Sequence, residues 1–297
     1  MRHFLDIDDL QPSDLARILN LATTPDPPPV LAGKGASLLF EKPSARTRSA
    51  TEMAVVQLGG HPTYIGPAEV GLDERESVED VTRTLACYSA VIGARVFDHR
   101  TVKRMAAVSA VPVINLLSDA AHPTQAVADL LTIRAARGHL EGRVLAYIGD
   151  ANNMAHSLAY AAGLSGMAVR IASPVGYGFS EADLRRMRRR GCEPVQVQKP
   201  AEAVSGADVV YTDVWTSMGQ EEEAEQRRKD FSGFRVDRRM MARAASGAVF
   251  MHCLPAHRGE EVASTVIDGP SSLVWEQAAN RMHAARGLLL WLMEQAE

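Results

Sequence analysis

The 297-residue chain has only three cysteines, Cys87, Cys192 and Cys253, scattered and with no CxxC pair among them. Their odd number and spacing argue against a disulfide framework or a zinc knuckle and fit a reducing compartment. No window approaches the roughly 18 uninterrupted apolar residues of a membrane span. The first nine residues turn acidic too early to hold the apolar core of a signal peptide. Neither sign of charge dominates: the formal net charge of −4 gives no global attraction for nucleic acid or an anionic membrane. Low-complexity tracts and short-period repeats are also lacking. These absences lead us to expect a cytoplasmic protein that acts on small molecules, with any anion-binding charge concentrated locally.

What is present is an alternation of strand and helix patterns, over a length that suits two domains of about 100–200 residues. A first helix, expected to start at a Ser13 cap, carries Leu15, Ile18 and Leu19. The proline-rich residues 23–29 then form a stiff connection that cannot be helix. Strands are expected at 37–40, 63–65, 90–92 and 111–117, with helices at 46–58, around 78–88 and near 101–108. A helix from about His122 to Gly138 leads into a second half with strands at 144–148, 168–172, 209–212 and 248–252. Its helices are expected at 154–164, 181–190 and 237–245, and an amphipathic helix at 276–293 closes the chain. The predicted fold class is α/β, with two doubly wound parallel sheets, each covered on both faces.

The polar clusters follow strands, where open α/β sheets place their ligands. Phe40-Glu41-Lys42-Pro43-Ser44-Ala45-Arg46-Thr47-Arg48 offers two hydroxyls, two guanidiniums and the free N–H groups of a helix start, a combination suited to a phosphate dianion. The bland alternative is a capping Ser44 followed by solvated arginines. His122-Pro123-Thr124-Gln125 can donate to a carbonyl oxygen and pair with an amide, which suits a carbamoyl group. Gly149-Asp150-Ala151-Asn152-Asn153-Met154 lacks the glycine series of a dinucleotide fingerprint, and its adjacent amides suit a carboxylate. In Asp213-Val214-Trp215-Thr216-Ser217-Met218-Gly219 the aspartate can hold an ammonium and Ser217 a carboxylate. Residues 220–229 are highly charged and read as a solvated loop or a lid. His252, Cys253 and His257 lie close in sequence, but a residue and its neighbour on a strand face opposite ways. With no second cysteine or carboxylate nearby in sequence, no metal site is expected. The arginines from 185 to 190 fit a wet helix face with a basic last turn.

Four motifs in order carry a resemblance that spans nearly the whole chain: residues 40–48, His122-Pro123-Thr124-Gln125, residues 213–219, and His252-Cys253-Leu254-Pro255-Ala256-His257-Arg258-Gly259. Together they closely resemble the ornithine carbamoyltransferases of the aspartate/ornithine carbamoyltransferase family. The resemblance implies a carbamoyl-phosphate domain over 1–135, with the helix at 277–297 packing back on it, and an ornithine domain over 140–276. Two interdomain helices would join them. It also implies a homotrimer or a higher assembly of trimers, with sites between subunits and a role in arginine biosynthesis. Carried over by position, Ser44, Ala45, Arg46, Thr47, Arg95, His122, Gln125 and Arg281 would bind carbamoyl phosphate. Asn153, Asp213, Ser217, Met218, Cys253 and Leu254 would bind L-ornithine, and Arg95, His122 and Cys253 would be catalytic. The reaction implied is attack of the neutral δ-amine on the carbamoyl carbon, giving citrulline and phosphate without a metal or organic cofactor.

Two positions depart from the family pattern. Ala45 stands where threonine is usual, which removes a hydroxyl. Glu69, in a longer loop at 66–77, stands where a neighbouring subunit normally offers glutamine, and a carboxylate beside a dianion is repulsive unless paired, protonated or turned away. Two rival readings follow from these departures: carbamoyl transfer to a different amine, or a weakly active regulatory paralogue. Retention of Arg46, Arg95, His122, Asp213 and Cys253 argues against the second.

Overall fold

Residues 2–217 and 219–294 are described by a computed structural model, in which the chain divides into two compact units. Unit 1 comprises Met1–Leu131 and Ala279–Glu297, and unit 2 comprises Thr132–Ala278. Each unit holds one parallel sheet flanked by helices.

Unit 1 runs through α1 (Pro12–Ala22), β1 (Gly35–Phe40), α2 (Ala45–Gln57), β2 (His61–Ile65), α3 (Pro67–Val70), α4 (Val78–Tyr88), β3 (Ser89–Arg95), α5 (His99–Val108) and β4 (Val113–Leu117). The strand order is β2-β1-β3-β4, all parallel. The middle strands are nearly continuous apolar runs because helices cover both faces. Leu39, Ile92, Ala94 and Val113 are buried together with Val78, Val102 and Met105 from the helices. α6 (Pro123–Arg137) crosses from unit 1 into unit 2.

Unit 2 contains β5 (Val144–Ile148), α7 (Asn153–Leu164), β6 (Ala168–Ala172), α8 (Glu181–Arg189), β7 (Val195–Val197), α9 (Pro200–Val204), β8 (Val209–Thr212), α10 (Ala224–Asp230), α11 (Arg238–Met241), β9 (Val249–His252) and α12 (Ser264–Ile267). Its order, β7-β6-β5-β8-β9, is again all parallel. Phe231, Phe234 and Trp215 pack with Val210, Phe250 and Val262 in its core. α13 (Val274–Met293) returns the chain to unit 1.

Several local expectations are corrected. α1 starts from Gln11, not Ser13; the Asp14 carboxylate accepts the Gln11 N–H at 3.1 Å, so the acidic residue at the third position supplies the cap. The helix expected over 237–245 is only α11, with Asp237 as its cap, accepting the Met240 N–H at 2.9 Å. The charged stretch 220–229 is a 3-10 turn at Glu221–Glu223 followed by α10, ordered by Arg227. β7 and α9 have no counterpart in the sequence reading. Three-residue β7 carries only one period of alternation, and Pro200 obscured the short helix that it opens.

Strand order fixes where ligands can bind. In each sheet the order reverses once, between β1 and β3 in unit 1 and between β5 and β8 in unit 2. At such a switch point the connections leave the carboxyl ends in opposite directions and open a crevice. The chains following β1, β5 and β8, and the last residue of β3, are the ones the sequence singled out.

Candidate active site

In unit 1 the switch point is built around Thr47. Ser44 is in extended conformation at the cap of α2, and its hydroxyl accepts the Thr47 N–H at 3.3 Å. This turns the first helical residues, Ala45 and Arg46, outward while Thr47 is buried. The Thr47 Oγ1 accepts from an Arg281 guanidinium nitrogen at 2.7 Å and from Arg95 at 3.4 Å. Arg281 also donates to the Gln125 Oε1, and the Gln125 amide donates to the buried Asp129 at 2.8 Å. Four of the residues expected at carbamoyl phosphate, Thr47, Arg95, Gln125 and Arg281, are thus brought to one place by α2, β3, α6 and α13.

The charge there has a consequence for His122, which sits beside Pro123 at the start of α6 and is buried. Burial is the largest cause holding its pKa well below the ordinary imidazole range; the cations Arg281, Arg95, Lys42 and Arg46 add to it. His122 is therefore neutral at pH 7 and has one N–H to donate. Lys42 was not among the predicted ligands. Its ammonium lies 4.9 Å from the Phe97 ring centre, and burial, then Arg95, lowers its pKa. Its place two residues after β1, inside the motif, was the available signal. A small region with four cationic side chains and a neutral imidazole is strongly attractive to a dianion.

Ala45 contributes an exposed methyl group and no hydroxyl. Glu69 serves its own segment, because its Oε2 accepts the Gly66 N–H at 2.7 Å and caps α3. The same segment is tied down by Arg104, which donates to Asp73 at 3.0 Å and to Glu79 at 2.7 Å.

In unit 2 the crevice is lined by the segments after β5, β8 and β9. Gly149, at φ +144°, makes a turn that L side chains rarely adopt and swings residues 150–153 across the sheet end. Asn152 caps α7: its Oδ1 accepts the N–H groups of Met154 and Ala155 at 2.9 and 3.1 Å. Its amide donates to the Asp213 Oδ2 at 3.1 Å. One of the two adjacent amides is thus structural; the other, Asn153, is half-buried at the first helical position. Asp213 is nearly buried, and its Oδ1 also accepts from the Val214 N–H at 2.8 Å and the Cys253 thiol at 3.0 Å. Ser217 is half-buried, and its N–H donates to Gln220 at 3.1 Å. Met218 lies outside the described residues.

Cys253 and Leu254 are positioned by two groups that sequence reasoning gave no role, Glu261 and Gln277. His252 is wholly buried and its N–H donates to the Gln277 Oε1 at 2.9 Å. The ring Nδ1 accepts the Leu254 N–H at 2.9 Å, which leaves Nε2 as the protonated nitrogen facing the Glu261 carboxylate at 3.2 Å. Leu254 is thereby held at φ +62°, an uncommon conformation for a branched residue. The carboxylates that spacing failed to reveal also revise the metal argument: Asp213, His252 and Cys253 place ligand atoms within 4.8 Å of one another. Their hydrogen bonds within the protein already occupy the Asp213 oxygens and both ring nitrogens of His252.

Arg227, also unpredicted, anchors the segment after Asp213. It is buried on α10 and donates to the Trp215 carbonyl at 3.0 Å and to Asp150 at 2.8 Å.

Comparison with known proteins gives the family. Residues 2–135 match the family model for the aspartate/ornithine carbamoyltransferase carbamoyl-P binding domain, and residues 141–292 match that for the Asp/Orn binding domain. The chain is 45% identical over 305 residues to an ornithine carbamoyltransferase of Acidothermus cellulolyticus, covering 100% of this chain and 98% of the relative. It is 45% identical over 268 residues to an anabolic ornithine carbamoyltransferase of Pyrococcus furiosus, covering 89% and 85%. The solved structure of an ornithine carbamoyltransferase from Pyrococcus furiosus superposes with a TM-score of 0.94 at 42% identity, covering 100% of this chain and 98% of that one.

Proposed function

The chain belongs to the aspartate/ornithine carbamoyltransferase family, and from that premise we propose that it transfers the carbamoyl group of carbamoyl phosphate to the δ-amine of L-ornithine, giving L-citrulline and phosphate. The observation that carries the reading is the convergence of Arg95, Arg281 and Gln125 with Thr47 beside a neutral His122. That set matches a substrate with a phosphate dianion at one end and a carbonyl at the other.

In this reading Ser44, Arg46, Thr47 and the first N–H groups of α2 hold the phosphate, and Arg281 and Gln125 complete the carbamoyl-phosphate pocket. Arg95 reaches phosphate and carbonyl oxygen, and the His122 N–H supports the negative charge that grows on that oxygen. One such donor is worth about 3–4 kcal/mol of barrier. A neutral imidazole donates without first having to gain a proton from solvent.

Asp213 takes the α-ammonium of ornithine, while Asn153, Ser217 and Met218 take the α-carboxylate. Cys253 and Leu254 lie at the side-chain amine. An alkyl ammonium of this kind has an ordinary pKa near 10.4, so only a small fraction is nucleophilic at pH 7. The δ-nitrogen forms a bond to the carbamoyl carbon, the bond from that carbon to the phosphate oxygen breaks, and the proton that the nitrogen loses passes to the departing phosphate. None of these steps calls for a redox group. No feature of the fold or of the relatives favours a different amine or a regulatory paralogue.

A homotrimer, a cytoplasmic location and a role in arginine biosynthesis complete the proposal. The family resemblance and the anabolic relative support them, and among the described residues no helix is long and apolar enough to cross a membrane. The reading is tested by incubating the purified chain with carbamoyl phosphate and, separately, L-ornithine, L-lysine, putrescine and L-aspartate, then measuring ureido product. Turnover with ornithine at least a hundredfold above the other three is expected. Preference for another amine, or turnover with none, would overturn it.

A further inference from the structure

His122 stands outside regular secondary structure, in the segment that joins the end of β4 at Leu117 to the start of α6 at Pro123. The tip of that segment, Asp119 and Ala120, is exposed, whereas Ser118 and Ala121 are wholly buried. An irregular segment has no ladder or helix of its own, so the place of the imidazole depends on what grips the backbone beside it. On the C-terminal side the His122 carbonyl accepts the N–H groups of Gln125 and Ala126 at 3.2 and 3.3 Å, in the first turn of α6. On the N-terminal side the grip comes from Ser118.

Ser118 holds Ala121, the residue before His122, at both backbone groups. Its N–H donates to the Ala121 carbonyl at 2.9 Å, and its hydroxyl oxygen accepts the Ala121 N–H at 3.3 Å. The same oxygen accepts from the Asn115 amide nitrogen at 3.2 Å and lies 2.8 Å from the Nδ1 of His99. That amide nitrogen also donates to the Leu5 carbonyl at 2.9 Å, which fixes its orientation. A hydroxyl has two lone pairs and one proton. With both lone pairs engaged, the proton goes to His99 Nδ1; the Ala121 carbonyl, at 3.5 Å, is a far poorer acceptor for it. His99 is therefore unprotonated at Nδ1 and is the acceptor that aims the Ser118 hydroxyl.

His99 is held in turn. It is the first residue of α5 and nearly buried, and its N–H donates to the Asp119 Oδ1 at 2.8 Å. The Asp119 N–H donates to the Phe97 carbonyl at 2.9 Å. Residues 97–99 thus hold both the exposed tip and the buried root of the segment. They follow closely on Arg95, whose carbonyl accepts the Glu41 N–H at 2.8 Å. One short stretch, 95–99, therefore carries both the guanidinium assigned to the carbonyl oxygen and the brace for the imidazole that shares its task. Such a stretch fixes the separation of two donors aimed at one growing charge, and an error of about 1 Å in it can cost on the order of a hundredfold in rate.

We propose that His99 and Ser118 are positioning residues for His122: the Ser118 hydroxyl, aimed by His99 Nδ1, sets where the imidazole N–H points as negative charge develops on the carbonyl oxygen. The proposal rests on the active-site reading and adds to it two residues that touch no substrate.

Variants at the two positions test it by steady-state kinetics. Asparagine can place its Oδ1 close to where Nδ1 of histidine lies, so His99→Asn keeps the acceptor and His99→Leu removes it. His99→Leu and Ser118→Ala should each lower kcat about tenfold or more, while the carbamoyl-phosphate Kd and the ornithine KM stay within about twofold. His99→Asn should recover most of the lost kcat. In a His122→Ala background, His99→Leu should cost less than about twofold further, because residues that act through one group are not additive. Should the leucine chain not fold, Ser118→Ala takes its place in every comparison, with Ser118→Thr as the conservative variant. A kcat within about twofold of native, a loss shared equally by the conservative variant, or the full loss repeated in the His122→Ala chain would each overturn the proposal. A native chain that forms no citrulline would refute the active-site reading instead. The brace is then decided without turnover, on chains carrying 15N-labelled histidine. The His122 ring signal, assigned from its loss in His122→Ala, should shift in His99→Leu and return in His99→Asn, and an unmoved signal overturns the brace.

Discussion

Asp213 accepts the Cys253 thiol at 3.0 Å while its other oxygen accepts from Asn152, so the residues that follow β8 and β9 and the cap of α7 are locked into one hydrogen-bonded group. The carboxylate is held in place before any substrate arrives. Such pre-orientation lets binding energy go into the reaction geometry instead of into ordering the site.

Replacing Asp213 by Asn keeps the shape and removes the charge. The Cys253 contact and the charge-assisted bond to the substrate ammonium are both weakened, at a cost of about 2–5 kcal/mol. Steady-state kinetics should show kcat/KM for ornithine falling by roughly 30-fold or more. The Kd for carbamoyl phosphate, which binds to unit 1 in this account, should stay within twofold.

Thr47→Val removes the oxygen that Arg281 and Arg95 share and keeps the volume. Leaving buried donors without that acceptor costs about 1–3 kcal/mol, which thermal melts should register as a lower Tm. The carbamoyl-phosphate KM should rise about tenfold. Added phosphate offers the guanidiniums another acceptor and should narrow the Tm gap.

The low pKa of His122 has a defined sign in stability. Below about pH 6.5, the ordinary imidazole value, the unfolded chain takes up a proton at this residue and the folded chain does not. The unfolded state then binds more protons, so stability falls as pH falls, and His122 contributes no pH dependence well above that value. His3, His156 and His283 are shifted the same way, each chiefly by burial. Urea midpoints measured between pH 7.5 and 5.5 should decline, and His122→Asn should make the decline shallower without abolishing it.

Much of the molecule was legible because its signals are local. β5, β6 and β8 were bounded correctly from short apolar runs, and Ser44 declares itself as a cap through its place before a helical pattern. Arg227, Glu261 and Gln277 were not legible. Each acts on a segment brought near by the β5-β8-β9 order, and a charged residue that will be buried looks, in sequence, like one that will be solvated. In 220–229 the charges suggested solvent, and most of them are exposed, but Arg227 is buried against Asp150 and the Trp215 carbonyl.

That anchor yields a further expectation. Arg227→Met retains the packed stem but strands Asp150, whose own pKa is already raised by burial with Arg227 opposing the rise. Removing one member of a buried pair typically costs about 3–5 kcal/mol. The ornithine KM should increase severalfold more than the carbamoyl-phosphate KM, because it is the 213–217 segment that loses its tether. Equal increases would indicate general damage.

Glu69→Gln separates the local role of this residue from a charge effect. Glutamine can still accept the Gly66 N–H through its amide oxygen, so the cap on α3 should survive. The carbamoyl-phosphate KM is expected to stay within twofold, and a severalfold tightening would mean that the carboxylate acts on the substrate.

The most direct test of the account follows the carbamoyl carbon itself. With 13C-labelled carbamoyl phosphate and L-ornithine, NMR should show the label moving into a ureido carbon bonded to the δ-nitrogen, with one phosphate released per label transferred. Asp213→Asn and Thr47→Val should slow that transfer through different substrates' KM values. Label appearing only as carbamate or bicarbonate, or on the α-nitrogen, would contradict it.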